Sequence, residues 1–195
     1  MPKKQEIFIL YRNWIIGGTM SDFTEIRPGG RPFVTAYLAF MLWFVGRAIQ
    51  AAAKVDADVK REFDELPDGF SMSLGAAPNG PTMVVGKDEN GKVKYMGWNP
   101  DGVDLNVKMT IKSLQALFVM FTFFESTPVA NARERLFVEG SLPEACAAVR
   151  VLDIVQVYLL PKPIAKLAIK RYPKWSFKRH TIIRSMVYIR TIIGL

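Results

Sequence analysis

Histidine and cysteine are almost missing from this chain, with one of each, His180 and Cys146, in 195 residues. One cysteine excludes an intramolecular disulfide and any multi-cysteine zinc site. It sits in EACAAVRVL, where it reads as a small apolar filler on a buried helix face. One histidine, placed in a basic segment, removes a His-centred metal site and argues against Ser-His-Asp or Cys-His catalysis. A Walker loop, a dinucleotide-binding glycine fingerprint and a metal-binding carboxylate cluster are also absent from the sequence. Asp56, Asp58, Glu62, Asp64 and Glu65 read as the wet face of a helix, and the spacing of Glu125 and Glu139 singles out neither as an acid or base. The expectation is a non-enzyme with no metal and no cofactor.

Acidic residues are missing from the last 35 positions. Residues 161–195 hold nine of the 26 Lys/Arg and none of the 18 Asp/Glu, so the rest of the chain is close to neutral while the whole carries +8. The basicity therefore belongs to a tail, and a polybasic tail implies an anionic partner, either a membrane surface or nucleic acid. Isoleucine pairs at 182–183 and 192–193 are too apolar for an arm that follows phosphates, so nucleic acid is the disfavoured choice. Long apolar runs are scarce too. Phe33–Val45 lacks charge but is shorter than the roughly 20 residues a bilayer span needs. A buried or interfacial helix is expected there. The start, MPKKQEIFILYRNWIIGG, is interrupted by Arg12 and Asn13 and reads as having no cleavable signal, and the ending IIGL does not resemble a peroxisomal address.

What the sequence does have is alternation. In Asp104–Ile111, Leu105, Val107, Met109 and Ile111 alternate with polar residues, the period of a strand with one covered face. Further strands are predicted at Phe70–Leu74, Thr82–Gly86, Val93–Trp98 and Leu136–Val138, with KDENGK as a hairpin loop. Residues 1–32 read as irregular. Helices are predicted over Phe33–Leu66, from Lys112 to about Glu125, briefly in VANARER, and from an N-cap at Ser141 to Leu160. The very apolar helix after the alternating strand either fills a core or walls a hydrophobic tunnel. Two basic amphipathic helices are predicted in the tail, each lying either in a membrane interface or on a protein surface.

The segments DLNVKMTIKSLQALF and STPVANARERLFVEGSLPEACAAVRVL resemble the sterol-carrier-protein-2 domain. The likeness spans 68–160, about half the chain. Members often have Gly-Lys before the fifth strand, whereas this chain has Arg133-Glu134-Arg135, as in some ubiquinone-biosynthesis accessory proteins carrying the domain. The resemblance implies an α+β fold, a five-stranded, mostly antiparallel sheet covered by helices that enclose a hydrophobic tunnel. It divides the chain into an N-terminal arm and apolar helix (1–66), a lipid-binding domain (67–160) and a basic amphipathic tail (161–195).

It further implies a tunnel lined by Phe70, Met72, Leu74, Met83, Leu105 and Val107. Met109, Leu117, Phe118, Phe121, Val138 and Leu152 would complete the lining. Flexible thioethers suit varied ligands, although the same residues would serve in a dry core. For the tail, membrane contact is expected at Lys166, Lys170, Arg171, Lys174, Trp175, Lys178, Arg179 and Arg184. The expected partners are a hydrophobic lipid, acyl, sterol-like or isoprenoid, and an anionic membrane surface, with a membrane enzyme as a further partner. Location would be cytoplasmic and peripheral to the membrane. The competing expectation is a membrane-associated scaffold or accessory protein for lipid or quinone biosynthesis, which would have a filled core.

Overall fold

Proline at the first position of a helix loses nothing by lacking an N–H, and the first helix, α1 (Pro32–Val55), begins on one. The computed structural model describes residues 31–122, 129, 132–160 and 179–194. The expectations for residues 1–30 and for the first tail helix lie outside these, and of VANARER only Val129, Ala132, Arg133, Glu134 and Arg135 fall within. In α1, Leu38, Leu42, Val45, Ile49 and Ala52 recur every three or four residues and are buried against β2 (Thr82–Lys87) and β3 (Val93–Gly97). This helix is long and apolar enough to cross a membrane, yet that stripe is seated on the sheet. Gly46 permits the close fit: a Cβ there would lie 2.5 Å from the Tyr95 ring. Alongside, the Tyr95 backbone N–H donates to Gln50 Oε1 at 2.9 Å, so α1 also satisfies a donor on an edge strand.

The single helix predicted over Phe33–Leu66 is two. Asp56 is extended (φ −109°, ψ 122°), and its Oδ1 accepts from the N–H of Asp58 at 2.8 Å and of Val59 at 3.2 Å. It is thus the N-cap of α2 (Ala57–Asp64). A side-chain acceptor that competes for nearby backbone donors ends one helix and starts the next.

The sheet order is β3-β2-β1-β4-β5, with β1 at Ser71–Ala76, β4 at Val107–Ile111 and β5 at Leu136–Gly140. All neighbours are antiparallel except β1 and β4, which run parallel. The predicted α+β class with a mostly antiparallel five-stranded sheet is what the chain adopts. The β2–β3 hairpin closes as its Asn90-Gly91 signal implies: Gly91 is at φ +74°, and Asp88 Oδ1 accepts from the N–H of Asn90 and Lys92. These hydrogen bonds, that from Lys92 foremost, hold the Asp88 carboxyl below its usual range.

Helix α3 (Leu114–Phe121) packs on β1 and β4, and α4 (Leu142–Leu159) packs on β5, α1 and α2, with Ala145 and Ala148 inward and Cys146, expected on the buried face, exposed. Ser113 caps α3, accepting from the Ala116 N–H at 3.1 Å; Ser141 occupies the cap position of α4 without a side-chain bond. Burial pushes the carboxyl of Asp153, on α4, above its ordinary value of 3.8. The ionised form is therefore the costly one in the fold; the penalty is absent below pH 3.8 and complete above the folded pKa. Asp153→Asn is expected to raise Tm at pH 7, with the gain shrinking as pH falls toward 3.8, in thermal melts across that range.

A π-helical turn (Arg179–Ile183) leads into the last helix, α5 (Arg184–Ile193), which packs on α1 and α4. Of the two placements open to this tail helix, docking on the protein's own surface is present. Tyr188 donates its hydroxyl to the Leu159 carbonyl at 2.6 Å, and its ring lies 6.2 Å from that of Phe44.

Candidate functional site

Directly opposed residues in neighbouring strands share a face, so the register fixes which side chains meet. One row crosses the sheet as Tyr95–Val85–Met72–Val107–Gly140, and the next as Met83–Leu74–Met109–Val138. A third runs Ala76–Ile111–Leu136. These rows belong to the face that carries the buried apolar cluster, with Leu117 and Ala116 of α3, the α1 stripe, and Val151, Leu152 and Val155 of α4 in the same cluster. Phe70, just before β1, is buried there too, and Phe118 and Phe121 pack against the cluster half-buried.

The structure thus gathers Phe70, Met72, Leu74, Met83, Val107, Met109, Leu117 and Leu152 into one apolar region. Two expected residues stand apart from it. Leu105 precedes β4 rather than extending it, and is half-buried in a loop pinned to β1. Ser71 N–H donates to Asn106 Oδ1 at 2.9 Å, Asn106 N–H donates to the Ser71 carbonyl at 3.0 Å, and the Ser71 hydroxyl donates to the Asp104 carbonyl. The loop's polar groups bind the strand end, which breaks the alternation at its first residue. Val138 sits on the apolar face by register but on edge strand β5, and is 40% exposed. The second row therefore starts buried at Met83 and reaches the surface at Val138.

Of the expected membrane contacts, Lys166, Lys170, Arg171, Lys174, Trp175 and Lys178 lie outside the described residues, as does the side chain of Arg179. Arg184 is half-buried, its guanidinium 5.8 Å from the Tyr188 ring centre. Sequence reasoning missed Val85 and the α1 residues Leu38, Leu42 and Ile49. The α1 stripe was hidden because the first half of that helix is apolar all round.

Polar groups border the apolar rows. The Tyr95 hydroxyl is buried with no hydrogen-bond partner, and burial raises its pKa while the charge of Arg47 opposes the rise. Lys87, at the end of β2, is buried and donates to the Leu66 carbonyl at 2.8 Å, with Asp68 Oδ1 at 3.1 Å. Among the described residues no group of three His, Cys, Asp or Glu is placed to hold a metal ion.

No protein-family model matches the chain, and no curated protein matches it. Among solved structures it is similar to a "UbiJ-SCP2 Ubiquinone synthesis protein" at 16% identity and a TM-score of 0.38, over 64% of this chain and 97% of that one. It is also similar to a sterol carrier protein 2 from Yarrowia lipolytica in its apo form, at 12% identity and a TM-score of 0.42, over 67% and 96%. A third is the sterol carrier protein domain 2 of Helicoverpa armigera, at 14% identity and a TM-score of 0.38, over 75% and 100%.

Proposed function

We propose that this protein is a non-catalytic lipid carrier, taking an acyl, sterol-like or isoprenoid chain between its sheet and the helices α1, α3 and α4. The observation that carries the reading is the apolar row from Met83 through Leu74 and Met109 to the open edge at Val138. Methionines at 72, 83 and 109 supply side chains that can move aside for a guest. Displacing them to admit a chain forms a tunnel from a filled core. Each methylene taken out of water contributes about 0.8 kcal/mol, so retention needs no strong polar contact. A polar end reaching the β3 side would meet the Tyr95 hydroxyl, which is without a partner there.

Native mass spectrometry of the purified protein, with solvent extraction and identification of released lipid, tests this. A stoichiometric lipid adduct is expected. Val138→Arg places a charge at the proposed mouth on a half-open site, and should lower uptake of a fluorescent fatty acid by about tenfold while leaving Tm nearly unchanged. A clean apo mass with no displaceable lipid would overturn the carrier and favour a scaffold with a permanently filled core.

A further inference from the structure

On a helix docked to its own protein, the apolar side should face inward. Helix α5 is arranged otherwise. Its inward side is Val187 and Thr191, both buried, while Met186, Ile189 and Ile193 point outward at 47%, 56% and 62% exposure. Ile192 is exposed beside them, and Ile182 extends the row into the preceding turn. The spacing 182, 186, 189, 193 is one helical face. Arg190 falls at the margin of this face, whereas Arg184 shares the inward side with Val187 and Thr191.

A second exposed apolar side lies on α1, against which the inward side of α5 packs. Phe40 stacks on Phe44 at 6.2 Å between ring centres, and Phe44 meets Tyr188 of α5 at 6.2 Å. Along the same side of α1, Phe33 is 90% exposed and Phe40 is 57% exposed. Arg47 lies over the Trp43 ring, 5.2 Å from its centre, one turn further on. Neither helix carries an acidic residue: positions 31–55 hold Arg31, Arg47 and Lys54, and positions 179–194 hold Arg179, Arg184 and Arg190.

We propose that the outward face of α5 is a docking surface for an anionic lipid bilayer. Large apolar side chains with Arg190 at their margin, on a helix without carboxylates, suit the plane of the headgroups, where apolar groups enter the acyl boundary and cations stay among phosphates. Charge selects this occupant. A second copy of the chain would bring two cationic faces together, and a nucleic acid has no use for an isoleucine row. The inward side holds α5 in place through the Tyr188–Leu159 hydrogen bond and through Gly194, the left-handed cap (φ +84°) against Arg47. The helix therefore presents its outward row preformed. This surface lies apart from the sheet-face rows and stands whether or not the interior holds lipid.

The test is co-sedimentation of the full chain with phosphatidylcholine vesicles, with and without phosphatidylserine. Binding is expected only with phosphatidylserine, weakening as salt rises. Met186→Asp with Ile189→Asp alters only exposed side chains and should reduce that binding by about tenfold or more, with the circular dichroism spectrum and Tm retained. Native mass spectrometry of the same variant separates this surface from the carrier reading, since interior occupancy should persist. Wild-type protein that ignores anionic vesicles, or a double variant that binds them undiminished, would overturn the proposal. So would a concentration-dependent dimer, seen by sedimentation velocity, that the double variant abolishes; that result would give the face to a second copy.

Discussion

Asp56→Ala is expected to remove about 3 kcal/mol of stability, roughly 10 °C in Tm for a chain of this size. Two separable losses make up the figure. Alanine cannot accept from the N–H groups of Asp58 and Val59, and a lost N-cap costs about 1 kcal/mol. The second loss is longer in range. The Tyr158 hydroxyl, wholly buried on α4, donates to Asp56 Oδ2, and losing a buried hydrogen bond to a charged group costs about 1.5–3 kcal/mol. The 1% exposed carboxylate thus joins the end of α1, the start of α2 and the far part of α4. Tyr158→Phe should cost about 1–2 kcal/mol, and a double-mutant cycle by urea denaturation should show coupling between the two sites. Strict additivity would show that the cap alone accounts for the Asp56 effect.

The second large effect is expected at Gly140. Its φ is +116°, where only glycine sits without strain, and a Cβ there would lie 2.0 Å from the Asn106 carbonyl oxygen. That oxygen belongs to the loop pinned on Ser71, so it cannot retreat without disturbing the hydrogen bonds at the head of β1. Gly140→Ala should cost about 3 kcal/mol, combining backbone strain with the clash. Gly102→Ala is the matched control, since Gly102 also has positive φ (+79°) but nothing within 4 Å of an added Cβ. It should cost about 1 kcal/mol, and the difference measures the clash. Equal losses in chemical denaturation would place the whole effect in the backbone conformation.

Local pattern made the strands legible. Period-two alternation and turn residues located all five to within a few residues, because both signals live inside a short window. The misplaced boundaries come from contacts a window cannot see. Leu105 continues the alternation, yet Asn106 is drawn out of the strand by Ser71, 35 residues earlier. Asp56 looked like one more charge on a wet helix face, and its burial depends on Tyr158, 102 residues later. In the tail, the row Ile182–Met186–Ile189–Ile193 was visible as a stripe, but a stripe does not say which way it faces. Val187 and Thr191, the residues that anchor the helix, form the less conspicuous side. For the candidate site, Met72, Leu74, Val107 and Met109 on β1 and β4 were readable from alternation, whereas Val85 and the contribution of α1 were not, since two adjacent valines and a helix apolar all round mark no direction.

The parallel pairing of β1 with β4 sets an order of events during synthesis. Strands β1, β2 and β3 are joined by short turns and can pair as soon as they emerge, but β1 waits for Val107, 35 positions beyond Met72, to gain its other neighbour. Until β2 and β3 form, the stripe of α1, the earliest described element to be made, has no sheet to lie on. Among the described elements the longest helix is therefore made first and uncovered, and α5, which packs beside it, is added last. Closing contacts this distant in sequence is slow relative to local pairing. In that interval α1 is open to whatever apolar surface the nascent chain meets first.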